Sequence, residues 1–509
     1  MNSWKSKLLT SALTNLRILA SPTSASRGDF HVMHNGQSVD NLVIEFMEEH
    51  QIPGLALAIV QSPYITRVVG YGLANLSTKQ LVANHTLFSI GEITNAFTAI
   101  SVMQLVEENK LKLEDLITVY ISYVPSRWKD IKIKDLLFHT SGLPDYTAVE
   151  GFDYTEDYQP SQIVEMLAGS QLEFVPGSKF NNSRTNPYLL GIVIEKASGV
   201  KYEDYVTKNQ IERLQLKHTY FISNLKSMPK EIKDSSETAA GYLPQEKKSV
   251  ATQAMSWGAT FASSGIFASA EDISKWDLGL AGDVLLKDPQ SHKLLYTPLK
   301  LKDGTVVPGS AGWYFPGRPD LMQINGNMPG YSAFLSRFTA PCDLLCVTVL
   351  ANRDNIPGLD VLARKIAAAY DVKLSVPQGS AWSETIQSPY PVDKTIDRVI
   401  ENVKKQGGTI FSRINHSEAA EKASLKLRPT QVISLGNPKV GTQLMQANAS
   451  ISLDLPLRVM AWEDESGQVW LSFTDPRALA KEYKVEIDIA LLNKMYANLL
   501  KTCQKAVGF

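Results

Sequence analysis

Cysteine is scarce in this chain, with three residues in 509. Cys342 and Cys346 share one apolar, strand-like run, and Cys503 lies near the C-terminus. An odd number so placed does not build a disulfide framework and reads as buried thiols. The Cys-x3-Cys spacing has no second ligand pair nearby, so no metal site is expected. Long hydrophobic runs are missing too. No apolar stretch approaches the roughly 18 residues of a membrane span, so no transmembrane segment is expected. Net charge is almost absent, because 51 basic residues face 52 acidic ones. Such a chain lacks the electrostatic footprint of a nucleic-acid binder. No internal repeat, low-complexity tract or cofactor motif is present.

What is present is length and apolar content. A chain of 509 residues exceeds one ordinary domain, and 44% hydrophobic residues suffice to fill more than one core. Residues 1–38 read as a leader or flexible N-terminus. Lys5 and Lys7 precede a short apolar stretch, and Ser24-Ala25-Ser26 offers a small-residue cleavage site. Asn15 and Arg17 interrupt that stretch, which makes a weak export signal. Arg27-Gly28-Asp29 spells an adhesion tripeptide, but three-residue matches recur by chance.

Pro53 to Gly72 reads as two strands around a turn, with Leu55-Ala56-Leu57-Ala58-Ile59-Val60 continuously apolar. From Glu92 to about Glu108 apolar residues cover nearly every face, which predicts a deeply buried helix. Helices then dominate to about Leu214. Tyr188 to Lys196 is a second buried helix, stopped at Gly199. Strand patterns return at Tyr331–Phe338 and Leu344–Leu350, and a helix spans about Leu359 to Tyr370. Strands at both ends with helices inserted between them imply an α+β domain whose termini pair in one sheet.

Six segments of this domain resemble a known family. Phe88-Ser89-Ile90-Gly91-Glu92-Ile93-Thr94-Asn95 opens the buried helix. Leu105 to Asp115, Ile133 to Pro144 with its His139-Thr140-Ser141-Gly142, Pro176 to Phe180, Ser264 to Asp272 and Pro329-Gly330-Tyr331 add to it. Together they resemble the β-lactamase and penicillin-binding-protein-like serine hydrolases over roughly Val39 to Tyr370. The resemblance implies an antiparallel sheet with an inserted helical region, and a bacterial, periplasmic or secreted setting. It also implies acyl transfer, in which a serine hydroxyl is activated by a nearby lysine. The side chains that do this are replaced here. Glu92 stands at the nucleophile and Asn95 at the lysine of S-x-x-K. Asn182-Ser183-Arg184 stands at Y-x-N, and Ile324-Asn325-Gly326 at K/H-x-G, leaving only the glycine. His139 is a structural histidine in that family.

A carboxylate at a helix start is favoured by the helix dipole and free N–H groups. If the first two motifs face each other, Arg184 meets Glu92 in a charge-assisted pair. Three readings then stand: a dead pocket that filled itself in, Glu92 as a general acid or base, and ligand recognition without chemistry. The candidate pocket is Glu92, Asn95, Asn182, Arg184 and Asn325, and a small-molecule or peptide-like ligand is the expected partner. Four other S-x-x-K matches begin at Ser126, Ser198, Ser223 and Ser227, in polar or Gly- and Pro-marked loops. Two fixed positions in four recur by chance.

Pro- and Ser-rich residues 376–391 read as a linker, which places the first domain at 39–375 and a small α/β domain at 392–509. In the latter, a helix from Thr395 to Lys405 precedes strand, helix and strand. A hairpin, Leu457–Trp462 with Val469–Phe473, and a closing helix from about Ile489 to Lys505 follow. Thr409 to His416, Leu435 to Thr442 and Leu453 to Leu457 resemble a small bacterial domain family of unknown function. His416 and Asn437 are its polar candidates; turn and cap hydrogen bonds are the plainer explanation. Three functions remain open: a serine-hydrolase-like pseudoenzyme that binds or scaffolds, an active amide, ester or peptidoglycan hydrolase with a rearranged site, and a function carried by the second domain. The sequence does not set the oligomeric state.

Overall fold

The computed structural model describes residues 32–227 and 238–508, apart from 246–247, 283, 302, 317, 319, 341–343, 376–382, 465–466 and 486. The leader reading up to residue 31, Cys342, most of the Ser227 motif and the first half of the expected linker lie outside the described residues. Two compact units are present. The first runs to Val372 and the second begins at Lys373, with Phe315–Leu321 grouped with the second.

In the first unit, α1 (Val39–Glu49) leads into β1 (Gly54–Gln61) and β2 (Tyr64–Asn75). Far along the chain, β6 (Leu321–Met328), β7 (Tyr331–Phe338) and β8 (Leu345–Ala351) complete the sheet before α5 (Leu359–Tyr370). Strand order is β6-β7-β8-β1-β2, extended by two-residue strands at both edges. The antiparallel register sets Val349 opposite Leu57, and Leu57 opposite Val69. The strands read as apolar runs, because β1, β7 and β8 are buried on both faces.

The helices inserted between β2 and β6 hold the site. A second sheet, order β3-β5-β4, links β3 (Phe88–Ser89) to β5 (Ile266–Ala268) and β4 (Thr219–Phe221). A 3-10 turn, Gly91–Ile93, then runs into α2 (Thr94–Glu107). Every residue of α2 from Thr94 to Leu105 is buried. It packs against α3 (Thr185–Ser198) and α4 (Trp257–Ser264), which explains its apolar residues all round. Phe97 stacks on Trp276 with ring centroids 4.2 Å apart.

The second unit is a five-stranded antiparallel sheet with helices. Its elements are β9 (Ser383–Ser388), α6 (Val392–Lys405), β10 (Thr409–Asn415), α7 (His416–Lys422), β11 (Thr430–Gly436), α8 (Pro438–Ala447), β12 (Leu457–Glu463), β13 (Val469–Thr474) and α9 (Ile489–Val507). Strand order is β9-β13-β12-β11-β10. One element departs from the sequence reading. Residues 383–388, read as linker, form edge strand β9, paired from Ser383 opposite Thr474 to Ser388 opposite Val469. Its buried side chains are largely polar, Thr385, Gln387 and Ser388 beside Ile386, so no apolar run announced it. Thr385 bonds Ser472 at 2.9 Å, and Ser388 bonds Thr395 at 2.6 Å.

Candidate functional site

Ile90 donates its N–H to the Ile266 carbonyl, which fixes the chain where β3 gives way to the turn. No side chain caps that turn, and Glu92 stands in the first turn of a buried helical stretch, where the helix dipole favours a negative charge. Across from it, Gly326 of β6 approaches closely. A Cβ added there would strike the Ile90 carbonyl oxygen and come within 3.2 Å of the Glu92 nitrogen. This contact gives a steric reason for the one motif residue that remains.

Glu92 and Arg184 meet in an ion pair, with side chains 12% and 24% exposed. The other Glu92 oxygen, Oε2, accepts the Asn327 N–H at 2.6 Å. Arg184 also reaches Asp145 and the Asn327 carbonyl, each at 3.3 Å, and the Thr147 hydroxyl at 3.4 Å. The Glu92 charge, opposed by burial, pushes the guanidinium's pKa further up. Asn327 is held by Asn355, which accepts its amide at 3.0 Å and donates its own N–H to Asn327 Oδ1 at 2.7 Å. Tyr154 also faces the pair. Burial raises the pKa of its phenol, and Arg184 partly opposes the rise, so the group is neutral at ordinary pH.

The remaining candidates separate. Asn95 is buried, with no partner for its side-chain oxygen among the described residues. Asn182 and Asn325 are exposed and stand outside the Glu92–Arg184 contact set. Ile324 is buried. Sequence reasoning missed Asp145, Thr147, Tyr154 and Asn327. Asn327 acts through its backbone, for which a side chain gives no signal.

His139 is fully buried and has a left-handed backbone, φ 54°. Its Nδ1 accepts the Ser183 N–H at 3.3 Å and lies 3.2 Å from the Asn186 amide. Burial lowers its pKa to about 4, so it is a neutral acceptor that holds the segment carrying Arg184. The S-x-x-K serines at 126 and 223 are exposed, and Ser198 bonds the neighbouring Val200 backbone. Ser89 and Ser183 are buried.

In the second unit, His416 and Asn437 lie apart. His416 is exposed at the start of α7, where β10 ends, and Asn437 caps α8, accepting the Lys439 N–H at 3.0 Å. In the β10–β11 ladder Asn415 faces Gln431 and Thr409 faces Gly436, so the two candidates sit at opposite ends. Six residues of strand separate them, roughly 20 Å. Among the described residues no cluster of three or more His, Cys, Asp or Glu could hold a metal, and no helix is long and apolar enough to cross a membrane.

Residues 39–371 match the family model described as Beta-lactamase, and residues 384–504 match Domain of unknown function DUF302. Over 324 residues the chain is 26% identical to Protein flp of Staphylococcus aureus strain MW2, covering 62% of this chain and 63% of that protein. Over 109 residues it is 44% identical to Fluoride-specific ion channel FluC 1 of Brucella suis, covering 21% of this chain and 43% of that one. The chain thus spans less than two thirds of either relative. Among solved structures, the octameric penicillin-binding protein homologue from Pyrococcus abyssi aligns with a TM-score of 0.57 at 20% identity. That alignment covers 85% of this chain and 89% of that one, and supports the fold alone.

Proposed function

The chain belongs to the Beta-lactamase family through residues 39–371, and from that premise we propose that it is a pseudoenzyme, a member that binds or scaffolds without forming an acyl-enzyme. One observation carries the reading: the Glu92–Arg184 ion pair occupies the positions where the resemblance places the nucleophile and the third residue of Y-x-N. Acyl transfer needs a hydroxyl or thiol with a base beside it. Glu92 offers a carboxylate already engaged by a cation and a backbone N–H, and Asn95 cannot take a proton as lysine does. Both Glu92 oxygens are engaged, one by Arg184 and the other by the Asn327 N–H, which leaves the carboxylate poorly placed to serve a substrate.

Recognition fits better than mere decay, for a physical reason. Ser89, Thr94 and Asn95, all flanking Glu92, each bury a side-chain oxygen with no hydrogen-bond partner among the described residues. Buried polar groups are ordinarily satisfied, so these unpartnered oxygens support a reading in which a hydrogen-bonding partner completes the region. The charge pattern narrows its class. Arg184 lies between Glu92 and Asp145, so these three groups sum to a negative site. A neutral or cationic ligand suits that balance, and an anionic carboxylate does not. The test is covalent labelling. A fluorophosphonate or a penicillin incubated with the chain should leave its intact mass unchanged, whereas one adduct on a single residue would establish the active-hydrolase alternative.

A further inference from the structure

The second unit contains a cleft of about 460 Å³ that the β-lactamase-like fold does not explain. Its size falls within the range of small-molecule sites, roughly 300–1,000 Å³. Phe411 and Leu435 from the β10–β11 strand ends, Met445 of α8, and Met495 and Leu499 of α9 form an apolar wall. Phe411 is 51% exposed although it lines this concave surface. Met445 and Met495 are half-buried, and thioether side chains adapt to ligands of varied outline.

The lining also states what the ligand is not. None of the residues lining the cleft is charged. An ion placed there would lose hydration without gaining a partner. The start of α8 does not replace one. Asn437 Oδ1 takes the Lys439 N–H, and the Val440 and Gly441 N–H groups both go to the Asn437 carbonyl. Asn498, also in the lining, has no side-chain partner among the described residues, so its amide is available to a ligand. Gly441 opens onto the space: a Cβ added there meets no heavy atom within 4 Å.

We propose that the second unit binds an uncharged small amphiphile, with its apolar body against Phe411, Met445 and Met495 and a carboxamide- or alcohol-type head at Asn437 and Asn498. The absence of lining charge selects this occupant over fatty acids, phosphates and ammonium compounds. The experiment uses the full chain, with Nile red as reporter and octanamide, octanoate and octylamine as competitors at neutral pH. These three differ in head-group charge on one chain length. Octanamide should displace the dye at a concentration at least about tenfold below either charged analogue, a difference near 1.4 kcal/mol. Gly441→Phe fills the cleft and should weaken binding by at least about tenfold. Gly441→Ala should leave binding intact and raise the melting temperature, since alanine is the better helix former. Phe411→Ser, at an exposed position, should weaken binding without unfolding and serves if the phenylalanine variant does not fold. Equal displacement by all three competitors, or unchanged dye binding in both cleft variants, overturns the proposal. So does a dimer lost in Gly441→Phe with no dye bound, which would make the cleft an interface between copies.

Discussion

Glu92 and Arg184 each surrender hydration where they meet, and the pair compensates both. Removing one partner leaves the other charge buried, which is the costly half of such an interaction. Arg184→Ala is therefore expected to lower stability by about 3 kcal/mol in urea unfolding. Adding Glu92→Gln to that variant should recover part of the loss, because the orphaned charge disappears. If the single and double variants unfold alike, the pair is not coupled as described. His139 gives a second residue-scale expectation. Its folded pKa is about 4 against an ordinary 6.5, so the unfolded chain binds more protons between those values. Stability from this residue is complete above about pH 6.5 and falls as the pH drops toward 4, by about 3 kcal/mol in all. His139→Asn, which tolerates the left-handed backbone, should flatten that part of the pH–stability curve while lowering stability at neutral pH. His50, whose pKa burial likewise lowers to about 4, keeps its own share of the slope. At this scale the motifs signal some contacts and not others. Glu92 and Arg184 are distinguished by motif position. Asn182, in the motif of Arg184, and Asn325, in the third motif, face solvent, and Asn327 contributes a backbone N–H that no side chain announces.

Elements were legible wherever burial is apolar. Strands β1, β7 and β8 and helix α2 have sequences that admit few other placements, because both faces are covered. Strand β9 was illegible because polar side chains fill most of its buried positions, and its two hydroxyls find their partners in α6 and β13. His416 and Asn437 stand apart for a topological reason. Both lie beside turns, but an antiparallel ladder sends its two ends apart. A capping interaction supplies the element-scale test. In the helix Ala270–Ala281, the Ser269 hydroxyl accepts the Asp272 N–H at 3.2 Å. Asp272 in turn accepts the His218 N–H at 2.6 Å, which ties the helix to the segment entering β4. Ser269→Ala should cost about 1 kcal/mol by denaturant unfolding. A loss indistinguishable from zero would mean the cap is not holding the helix start.

On the scale of the whole molecule, the chain joins a β-lactamase-family unit to a DUF302 unit. On the proposed reading, the missing acylation belongs to the whole constellation. Restoring Glu92→Ser and Asn95→Lys together should not restore turnover of a chromogenic cephalosporin, because Asn182, Arg184 and Ile324 still lack the family's tyrosine, asparagine and cation. Catalytic groups act as a unit, so partial repair yields little. Appreciable turnover by that double variant would show that the remaining walls are intact. The most direct measurement is the intact mass of the unaltered chain after prolonged incubation with a penicillin and, separately, a fluorophosphonate. The expected result is an unmodified mass with both reagents. A stoichiometric adduct mapped to one serine would contradict it and make this chain an enzyme with a relocated nucleophile.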